Sequence, residues 1–439
     1  MPRRVIGPFD ATALVVGSMI GSGIFIVSAE SARLLGTPGG LLAVWTAAGL
    51  LTLLAALSCA ELAAMFPLAG GPYVFFREAY GERISFLFAW TLLLVVQTGT
   101  IAAVAVAFSK FLGALVPSVT GWTAKGVAVL VVAALTGTNA LGVKTGTRTQ
   151  NVLTVIKYAA LLGLTLGGFL LIPRTVALPT GASPEMSAPS GAGLALAFAL
   201  ALVGPSFAQS AWTNVTFPGA EVRDPGRTLP LALILGCLLV SVLYVFANVS
   251  YLKVLGLSGI AYSAADRVGT ASAEALLPGR GGGWMAAAIL VSTFGCANGL
   301  ILSGARVMYA LAADGLFVAP AARLNGAGVP GVALGLQALW TSLLIASGSY
   351  SELLRYVVAV EFLILILLVL AVPVLRKKKP DAARPFRTPA WPLLGGSFVV
   401  LASALVVLLA AGSPRTTWPG LGLVLLGAVV HHAWRRRAA

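Results

Sequence analysis

The chain has 439 residues, of which 58% are hydrophobic and only 10% charged, with a formal net charge of +15. Apolar stretches of bilayer-spanning length recur along nearly all of it, which excludes an ordinary soluble domain. The 29 Lys and Arg residues are scattered through short loops rather than gathered on one domain, so the charge points to a membrane surface and away from a nucleic-acid partner.

In hydrocarbon every backbone N–H and C=O needs an internal partner, which leaves closed barrels or helices. Apolar runs of about 20 residues without strict alternation favour helices, giving an all-α integral membrane fold. Apolar length, read with Gly, Pro and charge punctuation, predicts twelve spans: 10–34, 40–66, 84–116, 124–141, 150–172, 192–219, 229–253, 283–312, 331–347, 352–375, 390–411 and 416–434. One domain over 1–439 is expected, since no segment is long or polar enough for a soluble one. Arg3-Arg4 before an apolar run has the look of a signal peptide, but glycines interrupt the run and equally hydrophobic spans follow, so cleavage is not expected.

An even number of spans places both termini on one side. With that side cytoplasmic, Lys and Arg divide 19 inside against 8 outside, leaving Arg33 and Lys157 within helices, as the positive-inside rule requires. The run Arg376 to Lys379 then anchors topology and can also meet anionic lipid heads. Cys59, Cys237 and Cys296 all lie in apolar spans and read as small core residues. The most polar stretch, about 256–282, reads as short surface helices.

The first span contains Gly17-Ser18-Met19-Ile20-Gly21-Ser22-Gly23-Ile24-Phe25. Gly17 and Gly21 at four-residue spacing suit close helix packing. The same glycines suit an unwound helix whose freed N–H groups point at an anion. The sixth span runs through Gly204-Pro205-Ser206-Phe207-Ala208-Gln209-Ser210-Ala211-Trp212-Thr213-Asn214, with a proline and a polar run at membrane depth. Two interrupted helices five spans apart point to paired repeats around a midplane site. Such an arrangement is a transporter's.

At these residues the sequence resembles the amino acid-polyamine-organocation superfamily and, within it, the L-type amino acid transporters. The resemblance covers nearly the whole chain. It is carried by Gly21-Ser22-Gly23-Ile24-Phe25, Cys59-Ala60-Glu61-Leu62, Gly70-Gly71-Pro72-Tyr73, Phe207-Ala208 with Trp212, Glu221-Val222-Arg223-Asp224-Pro225, Phe294-Gly295 with Asn298-Gly299, and Arg384-Pro385. It implies a LeuT-type fold, with five-helix repeats over 10–172 and 192–375, inverted relative to one another, and two trailing helices over 390–434. It further implies that N–H groups around Ser22, Gly23 and Ile24, with the Ser22 hydroxyl, hold a substrate α-carboxylate. The ammonium would meet carbonyls near Met19, Phe207 and Ser210, with Ile20, Ala208 and Gln209 completing the site and Phe207 as lid. Half-helix ends carry partial charges of the right sign for both groups of a zwitterion.

Lys157 sits inside the apolar run Val152 to Leu166, where a cation is costly without a partner. In sodium-independent relatives a lysine at the matching place substitutes for a sodium ion. The expected partners here are the backbone near Gly17 and polar atoms of Ser292 or Cys296, which share a helix face. Glu361 is an acid in an otherwise apolar span, either functional and titratable or paired with Arg355 or the helix start. Glu61, and Glu221 with Arg223 and Asp224, read as inner-side ion pairs.

The chain departs from the resemblance at Gln209-Ser210, where relatives usually have Tyr-Gly or a similar pair. Gln209 could hydrogen-bond a polar substrate side chain or turn away from it, and Ser210 removes room beside the substrate. The loop after the third span lacks the cysteine that links animal relatives to a heavy subunit, so no disulfide-linked partner is expected. The function expected is sodium-independent exchange or facilitated uptake of small neutral amino acids, with a proton-coupled symporter, possibly for cationic amino acids, as the alternative. An enzyme is not expected, because the only histidines are His431 and His432 beside the C-terminal arginines. Neither a cofactor nor a metal is implied.

Overall fold

A computed structural model describes residues 4–68, 70–142, 147–171, 189–313, 315 and 317–438. The helices are α1 Pro8–Met19, α2 Ser28–Leu35, α3 Pro38–Met65, α4 Pro72–Tyr80, α5 Glu82–Thr91, α6 Thr98–Leu115, α7 Gly121–Ala140 and α8 Thr147–Leu170. They continue with α9 Ala192–Ala208, α10 Pro225–Ala261, α11 Val268–Leu276, α12 Gly281–Ala313, α13 Gly331–Ser347, α14 Tyr350–Lys378, α15 Trp391–Gly412 and α16 Pro414–Ala438. Each expected span has a helix over it. Lys144, Arg174 and the end of the fifth span at 172 lie outside the described residues.

Eight segments among the described residues are long and apolar enough to cross a membrane. The shortfall from twelve has identifiable causes. The first expected span is broken between α1 and α2, α13 has only 17 residues, and the apolar part of α8 described here begins at Lys157. The basic C-terminal end of α16 makes that helix the least apolar of the four.

Local chemistry sets the helix starts. At α3 the Thr37 side chain accepts from Gly40 N–H with Pro38 at the first position, and at α14 Ser349 and Glu352 form a reciprocal capping box. Gly256, at φ 68°, breaks α10 near its end. Between α5 and α6 the backbone widens into a π-turn over Leu92–Gln97. The Leu94 carbonyl there accepts from Trp340 Nε1 (2.8 Å), Tyr356 OH (3.0 Å) and Thr98 Oγ1 (3.1 Å), so the widened turn is satisfied from α13 and α14.

α3 and α1 pack along α10, α6 along α12, and α14 against α15, α16 and α4. Ion pairs gather at two ends of this bundle, set by α14, where Arg355 and Arg376 lie about 30 Å apart at 1.5 Å per residue. At one end Arg355 pairs with Glu30, and Asp266 takes Arg33 (2.7 Å) and Lys110 (3.3 Å). Arg355 is thus spent on Glu30, which rules out the expected pairing with Glu361. At the other end Glu61, 1% exposed, accepts two bonds from Arg376 (2.9 and 2.6 Å) and one from Thr388 N–H (2.8 Å), with Arg384 at 3.7 Å.

Glu221, Arg223 and Asp224 form no ion pair among the described residues, contrary to expectation. They act through the backbone: Val5 and Ile6 N–H donate to the Glu221 carbonyl, and Arg223 N–H donates to the Ile6 carbonyl. The N-terminal segment is thereby clamped beside α10.

Breaking the Glu61 cluster should be costly. Glu61→Gln leaves Arg376 and Arg384 without their anion, and unpairing a buried ion costs about 3–5 kcal/mol. Because Arg376 is 21% exposed, the lower end applies. Thermal unfolding in detergent should show a midpoint several degrees lower; an unchanged midpoint would mean that the cluster carries no stability.

Candidate functional site

The site lies where two broken segments cross. α1 stops at Met19, residues 20–22 run without helix, and a 3-10 turn over Gly23–Phe25 leads into α2. α9 stops at Ala208, Ala211 takes a left-handed φ of 67°, and a 3-10 turn covers Trp212–Thr216. A non-glycine residue held there stores strain, and such residues cluster at functional sites. Pro205 lies in the last turn of α9. The two breaks touch directly: a Cβ on Gly23 would lie 2.7 Å from Ala208 Cβ.

A helix end leaves carbonyls without intrahelical partners. In α1 the Gly17 carbonyl accepts from Lys157 Nζ at 2.7 Å, as expected, and the Met19 carbonyl faces the Tyr244 hydroxyl at 3.1 Å. That same hydroxyl stands 3.3 Å from the Ala208 carbonyl, so one fully buried side chain of α10 bridges both breaks. Trp45 of α3 packs edge-on against the Tyr244 ring at 5.3 Å. Lys157 is 8% exposed, and Cys296 of α12 is close enough to feel its charge. Ser292 is also buried, but among the described residues no contact joins it to Lys157.

On the donor side, backbone bonds resume only with Phe25 N–H to the Ser22 carbonyl. The N–H groups of Ser22, Gly23 and Ile24 thus begin a turn with no intrahelical acceptor. The Ser22 hydroxyl, 3% exposed, makes no hydrogen bond within 3.5 Å among the described residues, and the buried Tyr350 hydroxyl of α14 lies close to it. Successive N–H donors at the start of a turn, with a serine hydroxyl among them, suit an anionic group such as a carboxylate.

The side chains of both departure residues bond back to the protein. Gln209 is fully buried, its Oε1 accepts from Ser241 Oγ (2.8 Å) and its Nε2 donates to the Trp45 carbonyl (3.4 Å). Its amide therefore secures the sixth span to α3 and α10. Ser210 donates its hydroxyl back to the Phe207 carbonyl (2.8 Å), capping α9. That carbonyl also takes Ser210 N–H, which leaves the Met19 and Ala208 carbonyls as the acceptors shared through Tyr244. Phe207 is 7% exposed, with Ile20 and Ile24 sealed beside it.

Tyr244 and Ser241 escape a sequence reading because both sit in the apolar run of the seventh span. Their only signal is a hydroxyl at bilayer depth, which must find a partner.

The crossing predicts the outcome of one substitution. Gly23→Ala places a methyl group against the Ala208 Cα and Cβ with no flexible side chain to yield. Transport should fall by roughly ten-fold or more, since overpacking costs about 1–3 kcal/mol, while expression stays within about two-fold. Wild-type rates would show that the breaks do not need this contact.

Comparison with known proteins identifies the family. The amino acid permease family pattern matches residues 6–430. The serine/threonine exchanger SteT of Bacillus subtilis is 28% identical over 455 residues, covering all of this chain and 98% of that protein. The human large neutral amino acids transporter small subunit 2 is 30% identical over 439 residues, 98% of this chain and 80% of its own length. The mouse b(0,+)-type amino acid transporter 1 is 28% identical over 428 residues, 96% and 85% respectively. The chain belongs to the amino acid permease family within the amino acid-polyamine-organocation superfamily, and it is a multi-pass membrane transporter of amino acids, not an enzyme.

Proposed function

We propose that this transporter carries small neutral L-amino acids across the cytoplasmic membrane without sodium, by exchange or facilitated uptake through alternating access. Its twelve spans form two inverted five-helix repeats with two trailing helices, and both termini are cytoplasmic. The observation that carries the reading is the 2.7 Å bond from Lys157 Nζ to the Gly17 carbonyl. A fixed ammonium there ties the fifth span to the broken first span and supplies the positive charge that a bound cation would otherwise bring.

The substrate zwitterion binds by its backbone. Its carboxylate takes the N–H groups of Ser22, Gly23 and Ile24 with the Ser22 hydroxyl, and its ammonium takes the Met19 and Ala208 carbonyls that Tyr244 now bridges. Ser210, with its hydroxymethyl group at the end of α9, supports a preference for small side chains. Cys59 and Cys237 are buried and Cys296 is partly so, which supports function without a disulfide-linked heavy subunit. The basic run Arg376 to Lys379 supports contact with anionic lipid heads on the cytoplasmic side.

In proteoliposomes preloaded with radiolabelled alanine, external alanine should accelerate efflux equally in sodium and in choline. A large loss in choline overturns the sodium-independent reading. Lys157→Ala strands the Gly17 carbonyl, a loss of about 1–3 kcal/mol, so turnover should drop roughly ten-fold with expression retained. Turnover at the wild-type level would reduce Lys157 to a packing residue.

Backbone recognition gives a second check. Alanine methyl ester and N-acetylalanine each remove one charge that the broken helices grip, so neither should compete with labelled alanine. Competition by the ester as strong as that by alanine would remove the carboxylate site.

A further inference from the structure

Glu361 is the one acid of α14 between its capping residue and its end, and Arg355 and Arg376 of the same helix are held by Glu30 and Glu61. It lines a cavity of about 20 Å³ with Thr52 of α3, Ser206, Gln209 and Ser210 at the break of the sixth span, and Phe398 of α15. That volume suffices for an ordered water. Ser206 Oγ, 9% exposed, has no hydrogen-bond partner in this same cavity. An acid, an orphaned hydroxyl and room for water thus meet directly behind the segment that carries the substrate site.

Among the described residues no cation lines this cavity. None of its lining residues from α3, α9 or α15 is titratable. Among the elements packed on α14, α3 brings Cys59 and Glu61, the latter held by Arg376; α4 brings Arg77, Glu78 and, near its two ends, Tyr73 and Tyr80; α6 brings Lys110; and α16 brings Arg415, His431 and His432. None of these side chains lines the cavity.

The charge state of Glu361 is therefore linked to the shape of the cavity. An ionised carboxylate at bilayer depth calls for water or a cation, whereas a protonated one fits a closed cavity and can donate to Ser206 or a bound water. The Gln209–Ser210 segment, where α9 gives way to the left-handed Ala211, forms part of the cavity wall, so a change in what the cavity holds bears on the break of the sixth span. Resting on the transport reading above, we propose that Glu361 is a proton-binding site whose occupancy is coupled to movement of the broken segment after α9. The proton passes between water and the carboxylate oxygen, with no other bond made or broken.

The test compares wild type with Glu361→Gln, which keeps the shape and fixes the side chain neutral. Alanine exchange in proteoliposomes at equal internal and external pH should vary with pH in wild type, by up to about ten-fold per unit on the titrating limb as expected for one site. In Glu361→Gln the rate should stay within about two-fold across the same range. A profile unchanged by the substitution, or a flat wild-type profile, overturns the proposal. Infrared titration of purified protein gives a readout independent of transport: wild type should show a pH-dependent protonated-carboxyl band that Glu361→Gln lacks. If neither protein moves any amino acid, the transport reading fails by itself, while the presence or absence of that band still decides whether Glu361 takes up a proton.

Discussion

Every feature of this molecule follows from one constraint: a helix broken in hydrocarbon exposes N–H and C=O groups that no water can satisfy. Two helices are broken at the same place, and most of the freed carbonyls are taken by protein groups. Lys157 takes Gly17, the one hydroxyl proton of Tyr244 is shared between Met19 and Ala208, and Ser210 takes Phe207. The donors at the start of the 3-10 turn and the Ser22 hydroxyl are left over. What remains is a group of unpaired donors beside carbonyls shared through one hydroxyl, and the proposed zwitterion site rests on that arrangement.

Reading the sequence works well where the signal is linear. Apolar length marked the helices under the expected spans but not α4, the glycines of 17–23 marked the first break, and Pro205 with the polar run behind it marked the second. Lys157 was legible because a cation in an apolar run has to be paid for by a partner, and the Gly17 carbonyl is that partner. What stayed hidden was direction. Once a helix unwinds, its periodicity no longer reports which way a side chain points, so Gln209 could be placed at the site but not turned toward Ser241 and Trp45. Glu361 and Arg355 are six positions apart, which puts them on different faces of α14, and only the fold could bring Glu30 to the arginine.

The association of these helices needs an explanation other than the hydrophobic effect, because lipid tails are as apolar as leucine. Close approach through small residues supplies one. A Cβ on Gly236 would meet Val15 at 2.5 Å, and one on Gly204 would meet Val27 at 2.6 Å, so α10 lies directly on α1 and α9 directly on the turn before α2. Buried polar ties fix the register: Ser28 to Asn248 at 2.6 Å and Ser31 to the Ala201 carbonyl at 2.9 Å. Packing and polar satisfaction thus act on the same helices that are broken.

The ends of the bundle are held in another manner. Glu30, Arg355, Asp266, Arg33 and Lys110 at one end, and Glu61, Arg376 and Arg384 at the other, join elements through charge rather than shape. Apart from the buried Glu61 cluster, these ion pairs join partly exposed groups and are individually weak, tolerating rearrangement because water can replace either partner. Packed cores are not forgiving in that way: a small displacement costs contacts at once. A molecule whose centre is joined by close glycine contacts and whose ends are joined by charges will yield first at its ends. Within that scheme the proton proposed at Glu361 sits in a cavity whose wall includes Gln209 and Ser210, so a change of charge there acts on the central break from behind.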